Sequence, residues 1–92
     1  MIIGFRHKGL KILYETGSTK GVRADHAPKL KRILAALDAA TKPEEMDFPG
    51  YRLHLLQGDL AGHWAVTVNG NWRVTFCFHA ADVELVDYLD YH

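Results

Sequence analysis

The sequence predicts an α+β domain in which a short N-terminal strand and two helices pack on one face of an antiparallel β-meander. Two observations lead there. The apolar period changes from 3.6 to 2 at about Gly50, so helices come first and strands second. The strand candidates are also joined by short turns, which forces neighbouring strands to run antiparallel.

Ile2–Phe5 reads as the short strand. Lys8–Glu15 carries Leu10, Leu13 and Tyr14 at helical spacing, with Gly17 placed to stop the helix. A loop follows at Gly17-Ser18-Thr19-Lys20-Gly21. In the second helix Leu30, Ile33, Leu34 and Leu37 form the buried stripe. Pro28 suits its first turn, Asp25 suits its N-terminus, and the helix ends before Pro43. Tyr51–Gln57, His63–Asn69, Trp72–Phe78 and Val83–Leu89 are the four strand candidates. Asn69-Gly70 has the chemistry of a type I′ hairpin turn. Alternation puts Trp64, Val66, Val68, Trp72, Val74, Phe76 and Phe78 on the core face, with Tyr51, Leu53 and Leu55 of the first strand grouped together. It leaves Arg52, His54, His63, Thr67, Arg73, Thr75 and Cys77 on the face the helices do not cover.

Ninety-two residues suit one domain, residues 1–92. A hydrophobic content of 48% is too high for a disordered chain. Single Cys77 cannot form an internal disulfide, which favours a reducing compartment. No basic start leads into an apolar signal core, and nowhere do 18 apolar residues run together, so the expectation is a cytoplasmic protein with no membrane partner. The net charge is zero but uneven. Residues 1–32 carry eight basic groups, Lys8 and Lys11 among them, against Glu15 and Asp25, a net of +6; the remainder carries −6. That split either presents a cationic face to phosphates or reflects solvated helix faces.

Among the polar residues, His54 carries the imidazole most often used for proton transfer and sits mid-strand on the uncovered face. A surface or structural histidine would look the same. Arg73 shares that parity, and its planar fork suits a phosphate; a cross-strand ion pair with Glu84 is the plain alternative. The chain closes on Asp87-Tyr88-Leu89-Asp90-Tyr91-His92, which is either a frayed tail or a set of acid–base groups carried into the sheet by the last strand. With His54 and Arg73 on one face, Asp90, Tyr91 and His92 complete what RNA cleavage through its own 2′-hydroxyl requires: a base, an acid and a cation. No metal or other cofactor is needed. The six histidines (His7, His26, His54, His63, His79 and His92) form no helical i, i+4 pair, and no Cys-x-x-Cys accompanies them.

Several stretches together resemble the HigB toxins, the "plasmid maintenance system killer" branch of the RelE/ParE superfamily. They are Phe5-Arg6-His7-Lys8-Gly9-Leu10-Lys11, Arg52-Leu53-His54-x-Leu56-x-Gly58-Asp59, Gly62-x-Trp64, Asn71-Trp72-Arg73-Val74-Thr75-Phe76 and the closing Asp87-Tyr88-x-Asp90-Tyr91-His92. The resemblance implies a RelE-like fold and a type II toxin: an mRNA endonuclease that acts in the A site of the 70S ribosome and halts translation. It implies a helix-turn-helix HigA-like antitoxin as partner, with operator DNA contacted only through that complex. His54, Asp90, Tyr91 and His92 fall at the family's active-site positions, and Arg73 at that of a basic residue placed to contact the RNA backbone. The basic N-terminal third would face ribosomal RNA. One position departs from the pattern: relatives commonly read His-Pro-Leu-Lys-Gly where this chain reads His54-Leu55-Leu56-Gln57-Gly58. Gln57 cannot supply the lysine's charge, a loss for which Arg52 is the nearest substitute. Two other readings use the same scaffold: a non-catalytic ParE-like inhibitor of gyrase, and a degenerate toxin kept as an antitoxin-bound co-repressor.

Overall fold

The computed structural model describes residues 1–91. Two helices, α1 (Lys8–Thr16) and α2 (Ala27–Ala39), precede four strands: β1 (His54–Leu55), β2 (Trp64–Asn69), β3 (Trp72–His79) and β4 (Asp82–Asp90). The strands form one sheet in the order β1-β2-β3-β4, every pair antiparallel, which is the predicted meander.

Local chemistry accounts for the helix ends. The His7 side chain accepts a hydrogen bond from the Leu10 N–H (3.1 Å) at the start of α1. Gly17, with φ +79°, ends that helix in the left-handed conformation that glycine adopts without cost. Gly9 and Gly21 lie so close that a side chain on either would collide with the other's backbone, which lets the loop after α1 fold tightly against it. Pro28 stands in the first turn of α2 as expected. Asp25 does not cap that helix: it is drawn into a two-point ion pair with Arg23, and His26 takes the cap position.

Leu10, Leu13, Leu30, Ile33, Leu34 and Leu37 of the helices meet Val66, Val68, Val74, Phe76, Val83, Val86 and Tyr88 of the sheet in one core. Burying such a face is what stabilises a small α+β domain. Phe76, fully buried at its centre, carries several kcal/mol of that term (about 3–5 for truncation to Ala).

Four features differ from expectation. The N-terminal strand is reduced to two isolated parallel bridges, Ile2↔Val83 and Phe5↔Val86. Between those partners β4 bulges at Leu85 (φ +56°), so the two chains meet only every third residue. The first strand of the sheet is cut to two residues. Arg52 has φ +51°, which breaks the extended run predicted over Tyr51–Gln57. The hairpin loop is Gly70-Asn71, closed by the Asn69↔Trp72 pair, because a register shift precedes it. Its φ is positive at Gly70 alone, the sign pattern of a type II′ rather than a type I′ turn. Finally, Thr75 is buried although it lies on the uncovered face, flanked across the ladder by Ala65 and Asp87.

Candidate nuclease site

The ladder register defines rows across the sheet, because residues directly opposite one another share a face. His54, Ala65, Thr75 and Asp87 form one row on the side away from the helices. Thr67, Arg73 and Leu89 form the next, one residue pair closer to the hairpin. His54 and Arg73 are therefore separated by one intervening strand and a two-residue stagger. With strands about 4.8 Å apart and about 3.3 Å per residue, their Cα atoms lie roughly 12 Å apart. Two long side chains at that separation on one face can bracket a phosphodiester.

His54 is exposed, and its Nδ1 lies 2.8 Å from the Arg52 carbonyl oxygen. A carbonyl can only accept, so Nδ1 carries the proton and donates. Neutral His54 then presents the lone pair of Nε2, the state required of a general base. The left-handed conformation of Arg52 sets this up by placing its carbonyl within reach of the next-but-one side chain. Such a conformation costs about 1 kcal/mol or more for a residue other than glycine.

Arg73 Nη1 donates to the carbonyls of Gly70 (2.7 Å) and Trp72 (3.1 Å). These bonds tether the guanidinium to the hairpin, and among the described residues only Nη1 is so engaged. The ion pair with Glu84 that would have made Arg73 structural does not form, since Glu84 stands opposite Cys77, two rows away. Cys77 is half-buried, and burial pushes its thiol pKa up, which keeps it a poor nucleophile.

The C-terminal residues are divided by strand alternation. Asp90 pairs with Trp72 and shares the helix-side parity of Tyr88; Arg23 and Tyr88 both feel its charge. Tyr91 has the opposite parity, that of Leu89, and its N–H extends the ladder by donating to the Asn71 carbonyl (2.8 Å). The expectation that Asp90 and Tyr91 join His54 on one face is thus corrected: consecutive strand residues point to opposite faces. Tyr91 remains three strands and four residues from His54 in register. His92 lies outside the described residues.

The other candidates are more dispersed. Arg52 and Gln57 are exposed on either side of β1, and Gln57 precedes a single 3-10 turn over Gly58–Leu60. Lys8 and Lys11 are exposed on α1, which packs against β4, so they belong to the helix layer and not to the His54–Arg73 face. No group of three or more metal-ligating side chains occurs among the described residues.

Sequence reasoning passed over Asp87, which enters the row of His54 only because of the Leu85 bulge, and His26, whose buried contact with Tyr88 spans 62 positions. A histidine just ahead of the helix-initiating Pro28 was the one available hint of the latter.

Residues 3–92 match the family described as HigB-like toxin, RelE-like toxin of type II toxin–antitoxin system HigB. The chain is also similar to the Endoribonuclease HigB of Proteus vulgaris, with 46% identity over 92 residues that cover the whole of both proteins. A fold of two helices on an antiparallel sheet and a match over nearly the whole chain make this protein a member of the HigB-like family of RelE-like toxins, which pair with an antitoxin in type II systems.

Proposed function

We propose that this toxin is a ribosome-dependent mRNA endonuclease whose working face is the uncovered side of the sheet. The observation that carries the reading is the Nδ1–H of His54 donating to the Arg52 carbonyl, which aims a basic Nε2 from the same face as Arg73. The name borne by the Proteus vulgaris relative, Endoribonuclease HigB, supports the same reaction class.

In this account His54 Nε2 accepts the proton of a ribose 2′-hydroxyl. The 2′-oxygen attacks the adjacent phosphorus, the bond from phosphorus to the 5′-oxygen breaks, and His92 returns a proton to that oxygen. The products are a 2′,3′-cyclic phosphate and a 5′-hydroxyl. Arg73 stabilises the charge gathering on the phosphate, helped by Arg52 and, weakly, by uncharged Gln57. The ribosome holds the A-site codon in place, and the basic residues of the helix layer, Lys8 and Lys11 among them, face ribosomal RNA. A HigA-like helix-turn-helix antitoxin silences the toxin and carries the pair to operator DNA. No helix among the described residues is long and apolar enough to cross a membrane, in keeping with action in the cytoplasm.

The test is a reconstituted translation reaction in which cuts in the message are mapped with and without ribosomes, beside His92→Ala. Cuts inside codons that require both ribosomes and His92 support the reading. Intact message with growth arrest and DNA damage would instead favour the gyrase-inhibiting alternative. Intact message with neither effect, in a chain that still binds its antitoxin, would favour the co-repressor.

A further inference from the structure

Behind the sheet, where the start of α2 meets the end of β4, lies a buried polar–aromatic cluster that the reaction above does not use. His26 is 3% exposed and Tyr88 5%. His26 Nδ1 lies 2.5 Å from the Tyr88 hydroxyl, joining the cap of α2 to β4 two residues before Asp90. Burial pushes the Tyr88 phenol above its usual pKa, so it stays protonated and shares one hydrogen with the imidazole Nδ1.

The surroundings hold this pair in place from three sides. The Trp72 ring lies 4.5 Å from that of Tyr88 and meets His26 edge-on at 5.6 Å. His7, which caps α1, meets Tyr88 edge-on at 5.3 Å. Arg23 lies 5.9 Å over Trp72 and is itself held by Asp25. Both helix N-termini and the two longest strands thus converge on one phenol.

Packing alone does not call for this arrangement. A buried imidazole and hydroxyl cost free energy unless each finds the other, whereas apolar residues of similar size would fill the space without that condition. What a directional bond adds is a fixed position for Tyr88 along and about the strand axis. Past Tyr88, β4 stays in ladder with β3 through Leu89↔Arg73, Asp90↔Trp72 and the Tyr91 N–H bond to Asn71, and these bonds hold its backbone. They do not by themselves fix the strand against the helix layer, which is what the His26–Tyr88 bond adds.

We propose that His26 is a positioning residue for the nuclease: through Tyr88 it clamps the end of β4 and so fixes Tyr91 on the face where the message meets the sheet. This rests on the nuclease reading above.

The experiment compares Tyr88→Phe, His26→Leu, His26→Asn and the Tyr88→Phe/His26→Leu double variant of the full chain. It reads hydrogen exchange at the Tyr91 amide, kcat and KM for message cleavage on programmed ribosomes, and Tm. Tyr88→Phe keeps the ring stacked and removes one oxygen. It and His26→Leu should each speed Tyr91 exchange and lower kcat about tenfold while KM stays within twofold. The double variant should be no worse than either single one, and His26→Asn, whose amide keeps a partner for the hydroxyl, should recover most of kcat. Unchanged Tyr91 exchange or unchanged kcat in Tyr88→Phe overturns the clamp. So does a loss of kcat that merely follows Tm, with His26→Asn no better than His26→Leu. A wild-type chain that cuts no message under any condition fails the nuclease reading instead, and the exchange result then decides the clamp by itself.

Discussion

The two edges of the sheet are built in opposite ways. The β4 edge is nine residues long, is bridged by Ile2 and Phe5 of the N-terminal segment, and is fastened from behind by His26. Val86 alone donates to the Gly4 carbonyl and accepts from the N–H groups of Arg6 and His7. The β1 edge is two exposed residues, entered through a left-handed Arg52 and tied back by Leu56 N–H to the His63 carbonyl and Thr67 N–H to the Tyr51 carbonyl. The tight edge ends in Asp90 and Tyr91, and the loose edge carries His54. The difference teaches that stability and proposed chemistry are separable here. His54 sits where few buried contacts depend on it, so its position is set by one hydrogen bond to Arg52, while the groups at the other edge inherit their position from the core.

Breaking the loose edge should therefore cost activity and spare the fold. His54→Ala should lower message cleavage on ribosomes by about 10²–10⁴-fold, the range of a lost general base, while unfolding free energy stays within about 0.5 kcal/mol of wild type. Single-turnover cleavage and urea denaturation of the same preparation check both halves. Breaking the tight edge should do the reverse. Val86→Ala removes fully buried methyl groups and should cost about 2 kcal/mol of stability, read from the urea midpoint, with cleavage intact under conditions where the protein remains folded.

The rows between the edges sharpen the comparison. Arg73→Ala should weaken RNA-dependent association with ribosomes, reduce the salt slope of binding by about one and slow cleavage roughly tenfold, without a measurable change in Tm. A smaller effect belongs to the N-terminal brace on the tight side. Asp38 accepts from the Ile2 N–H (3.0 Å) and the Tyr14 hydroxyl (2.7 Å), and these bonds hold its carboxyl below the usual range. A folded pKa below the unfolded one means that the contribution is present above about pH 4 and is lost as pH falls through the folded value. Since the carboxylate is exposed, its worth is about 1 kcal/mol or less. Asp38→Asn should accordingly flatten the acid limb of the stability–pH curve and leave cleavage unchanged.

The helices and the long strands were legible in the sequence because their signals are local. Leu30, Ile33, Leu34 and Leu37 share a helix face whatever surrounds them, and Val66, Val74 and Phe76 share a strand face for the same reason. Features that depend on register were not legible. Nothing in the residues near Leu85 announces a bulge, yet that bulge decides that Asp87 joins the row of His54 and that Asp90 turns toward the helices. Arg52 carries no mark of a positive φ, since bulky residues seldom adopt it, and it is this conformation that shortens β1 and orients His54. The hairpin was found, but its turn was displaced by one residue because the register shift falls just before it. The site residues came from strand parity, residue chemistry and a resemblance in motif, and their division between two edges came only from the fold.

The central claim is that His54 on the loose edge takes the 2′-hydroxyl proton. A message whose scissile 5′-oxygen is replaced by sulfur tests it most directly, because the thiolate leaves without needing an acid but still needs a base. With that message on programmed ribosomes, His92→Ala should recover most of the wild-type cleavage rate and His54→Ala should remain slow. Recovery by His54→Ala would contradict the account and make this histidine the acid.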